Sequence, residues 1–166
     1  MITQEDTPAI SAEPTTVAYA DLGEAVKRFQ QSRTMTLALP DVVARLRAAI
    51  EAAGLWVLHE IDPQALLRRG GYAIGPARQI LFFHPRFVAR LLAADPAALL
   101  EAPLKLAILE LPGGTVSVRW IDPAAAFARY GSAELADLGT ELAELCDNIV
   151  ATSLRPLSPM SPSRRI

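Results

Sequence analysis

The stretch Gln79-Ile80-Leu81-Phe82-Phe83-His84-Pro85-Arg86-Phe87 changes its period partway along. Up to Phe83 it is an unbroken apolar run of strand length. From His84-Pro85 onward the apolar residues fall at Phe87, Val88, Leu91 and Leu92, which is helical spacing. Proline suits the first position of such a helix, where its missing N–H is not needed. The same punctuation recurs at Asp62-Pro63, Asp95-Pro96 and Asp122-Pro123. There the Asp side chain can accept N–H groups that the first helical turn leaves unpaired. These four junctions read as four helix starts. His84 is the one member that is not Asp, and one of only two histidines, so it is the first residue to consider for chemistry.

Working outward, Thr34 to Leu39 alternates, with Met35, Leu37 and Leu39 on one side and Thr34 and Thr36 on the other. That pattern predicts a half-buried strand. Pro40-Asp41 opens a helix with Val43, Leu46, Ile50 and Ala53 on one face, ended by Gly54. Leu55 to Ile61 is a second strand, and Asp62-Pro63 starts a short helix that stops at Gly70-Gly71. Lys105–Leu111 and Thr115–Ile121 form a hairpin around Pro112-Gly113-Gly114. A long helix from Ser132 to about Leu154 carries Leu135, Leu138, Leu142, Leu145 and Ile149. The expected fold is an α+β two-layer sandwich in the order β-α-β(4)-α with short extra helices, its sheet mainly antiparallel and covered by helices on one face. A sheet buried on both faces would lack the polar alternation of Thr34, Thr36, Thr115, Ser117 and Arg119.

The chain divides into an N-terminal extension (1–31), partly helical over Tyr19–Gln31, one domain (32–154) and a Pro/Ser-rich tail (155–166). The formal net charge of −2 gives no electrostatic reason to expect nucleic acid. No apolar run is long enough to span a bilayer, and Glu5, Asp6 and Glu13 do not suit a secretory leader. The lone Cys146 excludes an internal disulfide and is compatible with the cytoplasm.

Residues 34–150 resemble the domain of unknown function 302 family. The resemblance rests on Gly54 followed by Leu55-Trp56-Val57-Leu58, Glu60-Ile61-Asp62, Ile80 to Pro85, Ala94-Asp95-Pro96, Ala102-Pro103-Leu104-Lys105 and Ile121-Asp122-Pro123. It implies a two-layer fold of the TATA-binding-protein type and a homodimer, and it supplies no activity. Many relatives carry Cys-Asn-Pro or Gly-Asn-Pro where this chain has Phe83-His84-Pro85, and many have a further cysteine near Pro103 and Leu104. Thiol chemistry therefore does not carry over, and the Asn cap is replaced by a poorer one. The Cys-free branch is the better match.

Each candidate has a structural reading beside the functional one. His84 at a helix start can contact a polar or anionic ligand or move a proton, or it can simply replace Asn at a junction. His59 shares a strand with Leu55, Val57 and Ile61 and is expected on the covered side, as a hydrogen-bonded core histidine. Metal or haem binding through His59 and His84 would need further ligands, and Glu60 points the other way. Gly70 to Pro76 lacks the ending of a phosphate loop and reads as a turn or flap. Cys146 lies mid-helix without a nearby base, and Asp62 and Asp122 have caps to fill. The 135-138-142-145-149 seam packs on the sheet or self-associates. Trp56 is either a core residue or an exposed interface anchor.

The leading expectation is a homodimeric ligand-binding or interaction module, non-enzymatic and without cofactor or metal. It would use the open sheet face (Thr34, Thr36, Ser117, Arg119) and the strand end at Phe83 and His84. The alternative is a small enzyme with His84 as acid/base and Asp62, Arg78 or Lys105 beside it.

Overall fold

The computed structural model describes residues 13–22 and 28–155. Along the chain lie β1 (Thr15–Thr16), β2 (Gln30–Met35), α1 (Leu39–Ala52), β3 (Trp56–Ile61), α2 (Pro63–Arg69), β4 (Tyr72–Ala73) and β5 (Ala77–Phe83). There follow α3 (Pro85–Ala94), a 3-10 turn (Pro96–Glu101), β6 (Leu104–Glu110), β7 (Val116–Ile121), α4 (Pro123–Ala128) and α5 (Ala133–Leu154).

All four polar–proline junctions start a helical segment. Asp62 accepts the Ala65 N–H at 3.0 Å, Asp95 that of Ala97 at 2.9 Å and Asp122 that of Ala124 at 3.0 Å. His84 caps as well: its Nδ1 accepts the Arg86 N–H at 3.1 Å. The imidazole thus caps the helix with a hydrogen bond of its own, contrary to the expectation of a poor cap. Ser132 caps α5, taking the Leu135 N–H at 3.3 Å.

The five long strands form one antiparallel sheet in the order β2-β7-β6-β5-β3. Directly paired residues lie on the same face. Met35, Val116, Val118, Trp120, Leu106, Ile108, Ile80 and Phe82 point to the helices and share a single core with Leu46 and Ile50 of α1 and Leu138 and Leu142 of α5. Burying each such side chain stabilises the fold by roughly 1.5–3 kcal/mol. The reverse face carries a row in register across all five strands: Ser32, Arg119, Ala107, Gln79 and Ile61. The α+β sandwich with helices on one face is the fold the sequence predicts.

Three expectations need correction. First, the initial strand runs from Gln30 to Met35, not from Thr34 to Leu39. It is an edge strand whose polar residues Gln30 to Arg33 are held by pairing with β7, and Leu39 already opens α1. Second, no helix forms over Tyr19–Leu22, and Gln30 and Gln31 belong to β2; residues 23–27, like 1–12 and the tail from 156, lie outside the described residues. Instead, Thr15–Thr16 pairs in parallel with Tyr72–Ala73, and the Tyr19 hydroxyl donates to the Gly75 carbonyl at 2.8 Å. The Gly70–Pro76 segment is thereby tied to the N-terminal segment.

Third, His59 is exposed and on the open face. Pairing runs Trp56↔Phe83 and Val57↔Phe82, then shifts to His59↔Leu81, leaving Leu58 as an extra residue. Such a bulge reverses the facing of everything after it. Without it, His59 would stand opposite Ile80, inside the core.

Candidate functional site

Five sequence-predicted residues collect in two places. At the end of β5, Phe83 and His84 meet Trp56 of the edge strand, with the imidazole 5.1 Å from the indole in an edge-on arrangement. They belong to a groove of ≈ 580 Å³ that also takes in Leu58, Val88, Leu92 and Leu99. Phe83 is its buried floor, whereas Trp56 (55% exposed), Leu58 (51%), Leu99 (48%) and Leu92 (40%) present apolar surface to solvent. Helix α3 is therefore apolar on two sides: Phe87 and Leu91 enter the core while Val88 and Leu92 line the groove.

On the reverse sheet face, exposed Thr34 lies directly opposite Ser117, but Ser117 is only 2% exposed, so it is not the surface contact the sequence predicts. Arg119 donates from Nε to Ser117 Oγ at 3.2 Å and from Nη1 to Gln30 Oε1 at 3.0 Å. Thr36 is exposed one residue past the end of β2 and pairs with nothing in the sheet. Pro103 borders both the groove and a second cleft at the Arg119 end of the open face.

Two of the partners suggested for His84 in acid–base chemistry, Arg78 and Asp62, are not brought to it, whereas the third, Lys105, stands opposite Leu81, three residues back along the strand. Arg78 begins the strand that His84 follows, a separation of about 20 Å at ordinary strand rise. It pairs there with Asp62 at 2.9 Å and Glu60 at 3.8 Å, while Arg47 holds Glu60 at 2.9 Å. These groups tie β3, β5 and α1 together at the far end of the sheet. His59 pairs with Leu81, about 10 Å along the strand from His84 by the same rise. Among the described residues, no three His, Cys, Asp or Glu side chains come together in a way that could hold a metal ion.

Cys146 lies in the core on α5. Burial, with a smaller contribution from the charges of Asp147 and Asp122, pushes its thiol up from 9.0 to about 12. A thiol so disposed is a poor nucleophile at neutral pH. The seam of α5 is likewise accounted for within the chain, since Leu135, Leu138, Leu142 and Ile149 are all buried against it.

His84 has a measurable structural role. Its Nδ1 accepts a hydrogen bond, so the neutral ring carries its proton on Nε2. Removing a side-chain cap costs about 0.5–2 kcal/mol. His84→Ala should lower stability by that amount in urea denaturation, and His84→Asn should restore most of it. Equal midpoints for all three proteins would show that the cap contributes nothing.

Sequence reasoning passed over Leu58, Val88, Leu92 and Leu99. The available signal was the continuous run Leu55 to Leu58, too apolar for one face of an edge strand.

A five-stranded antiparallel sheet with helices packed on it defines a two-layer α+β sandwich. Residues 31–152 match the model of the family described as Domain of unknown function DUF302, and the chain belongs to that family. Its fold is similar to a crystal structure of an uncharacterized conserved DUF302 protein from Bacillus stearothermophilus, with a TM-score of 0.71 at 16% sequence identity. That match covers 78% of this chain and 100% of the other. No curated protein matches this chain significantly. No helix among the described residues is long and apolar enough to cross a membrane.

Proposed function

We propose that this chain is a homodimeric binding module of the cytoplasm, in which a second copy seats on the groove beside His84 and the open sheet face receives a ligand. The observation that carries the reading is the groove itself. Four large apolar side chains, Trp56, Leu58, Leu92 and Leu99, converge there, each 40–55% exposed. Contiguous apolar surface of this kind marks association sites. A second copy is the favoured occupant because the groove runs along β3, an edge strand of the sheet. Exposed apolar edge strands are surfaces on which like chains pair. The aromatic Trp56 stands on His84 as the natural anchor of such a contact.

Light scattering at micromolar concentration tests the proposal. The wild-type protein should show twice the 17.9 kDa chain mass. Leu58→Asp should show the single mass, because an unpaired carboxylate would be buried at the contact. The residue is exposed in the single chain, so its thermal unfolding at low concentration should change little. A wild-type protein of single-chain mass throughout that range would remove the homodimer.

A further inference from the structure

The sheet is not closed throughout. β6 pairs with β5 as far as Phe82↔Leu104, and β7 pairs with β2 as far as Gln30↔Ile121, yet β6 and β7 stop pairing at Ala107↔Arg119. Antiparallel ladders bond at every second residue. The Leu111 N–H donates to the Thr115 carbonyl, so the next reciprocal pair after Ala107↔Arg119 would be Lys105↔Ile121. It is not formed.

The neighbouring ladders confirm which way those peptide groups face. Glu110 N–H donates to Pro76, which assigns the even-numbered residues of β6 to β5 and turns the Lys105 peptide groups toward β7. Asp122 N–H donates to Phe29, which assigns the even-numbered residues of β7 to β2 and turns those of Ile121 toward β6. The two strands splay, and peptide N–H and C=O groups look into the gap from both sides.

A cleft of ≈ 430 Å³ occupies this gap. That is within the roughly 300–1,000 Å³ of small-molecule sites. Its mouth on the open face carries Lys105, Arg119 and Gln79, and its inner wall is made by Trp120, Phe127 and Cys146. Lys105 is exposed and has no acidic partner among the described residues. Among the described residues lining the cleft the one carboxylate, Glu101, is already held by Arg129 at 2.7 Å and by the Tyr130 hydroxyl at 2.9 Å. The mouth is therefore net cationic, with peptide N–H groups of the unformed pair beside it, and the interior is apolar.

We infer that the cleft between β6 and β7 binds an amphipathic monocarboxylate, with the carboxylate between Lys105, Arg119 and the unpaired peptide groups and the apolar body directed toward Trp120 and Phe127. A carboxylate accepts charge-assisted hydrogen bonds from that set, and an apolar chain leaves no polar atom unpaired inside. The inference deepens the reading of the open face as a ligand surface but is independent of dimer formation, which involves the groove instead.

Isothermal titration calorimetry of the full chain with decanoate, below its micellar concentration, tests it. Saturable one-to-one binding is expected, with no comparable heat from decyltrimethylammonium, whose head is cationic. Lys105→Ala, a surface change, should weaken decanoate binding about tenfold or more. Ala107→Phe, which fills the mouth from the central strand, should abolish it. Unchanged binding in Lys105→Ala, equal binding of the cationic amphiphile, or no saturable heat in the wild type would each overturn the assignment. Light scattering on the same samples keeps the result separate from the homodimer: a single-chain protein that binds decanoate supports the cleft and removes only the dimer.

Discussion

Gly139→Ala should destabilise the protein by about 1–3 kcal/mol, the usual penalty for overfilling a packed contact. The sign is the informative part. In an ordinary helix interior the same change is favourable by roughly 1 kcal/mol, because alanine costs less backbone entropy. Gly139 lies in α5 where α4 crosses it. A Cβ there would stand 2.8 Å from the Pro123 carbonyl oxygen, 2.9 Å from Phe127 Cβ and 3.2 Å from Ala124 Cα. These atoms belong to the backbone or to the first side-chain carbon, so none can rotate away. Relief requires α4 to move as a body. Gly139→Val should therefore go further, with loss of the cooperative transition or a urea midpoint far below that of the alanine variant. Since α4 supplies Phe127 to the inner wall of the cleft, displacing it should also loosen decanoate binding. An alanine variant as stable as the wild type in urea denaturation would mean that the two helices do not approach so closely.

Phe82→Ala should cost about 3–5 kcal/mol, a large part of the 5–15 kcal/mol that holds a domain of this size folded. Phe82 is fully buried, pairs with Val57 on one side and Leu104 on the other, and faces the helices. Truncating it removes the transfer free energy of a phenyl ring and leaves a cavity that rigid strands cannot close. The measurement also tests the facing of the sheet. In an unbroken run such as Ile80-Leu81-Phe82-Phe83, alternation assigns Phe82 to one layer and Leu81 to the other. Leu81→Ala, on the half-buried open face, should cost distinctly less. Comparable losses at both positions would require the open face to be covered, and the ligand reading of that face would fall with it.

Much of this architecture is written locally. The four proline junctions work because a cap involves only the few residues of one helical turn. The same holds for Gly54, whose φ of +73° ends the α1 turn in a conformation that few other residues adopt. The candidate site was legible in part. Thr34, Ser117 and Arg119 do share the reverse face, with Ser117 buried in it, and Phe83 and His84 do share the groove. His59 and Thr36 were misplaced for one reason: strand facing was extrapolated from alternation, and alternation fails wherever a strand bulges or ends.

What the chain determined by itself is the sequence of helix starts, most of the strand content and a sheet face covered by helices. Each follows from interactions among residues close in sequence or from a simple apolar period. The tertiary structure alone decided that Leu58 is extra in β3, that polar Gln30 to Arg33 form an edge strand, and that β6 and β7 part after Ala107 and Arg119. Those outcomes depend on register between strands far apart in the chain. Register is set by how whole faces pack against each other, and no single segment carries that information.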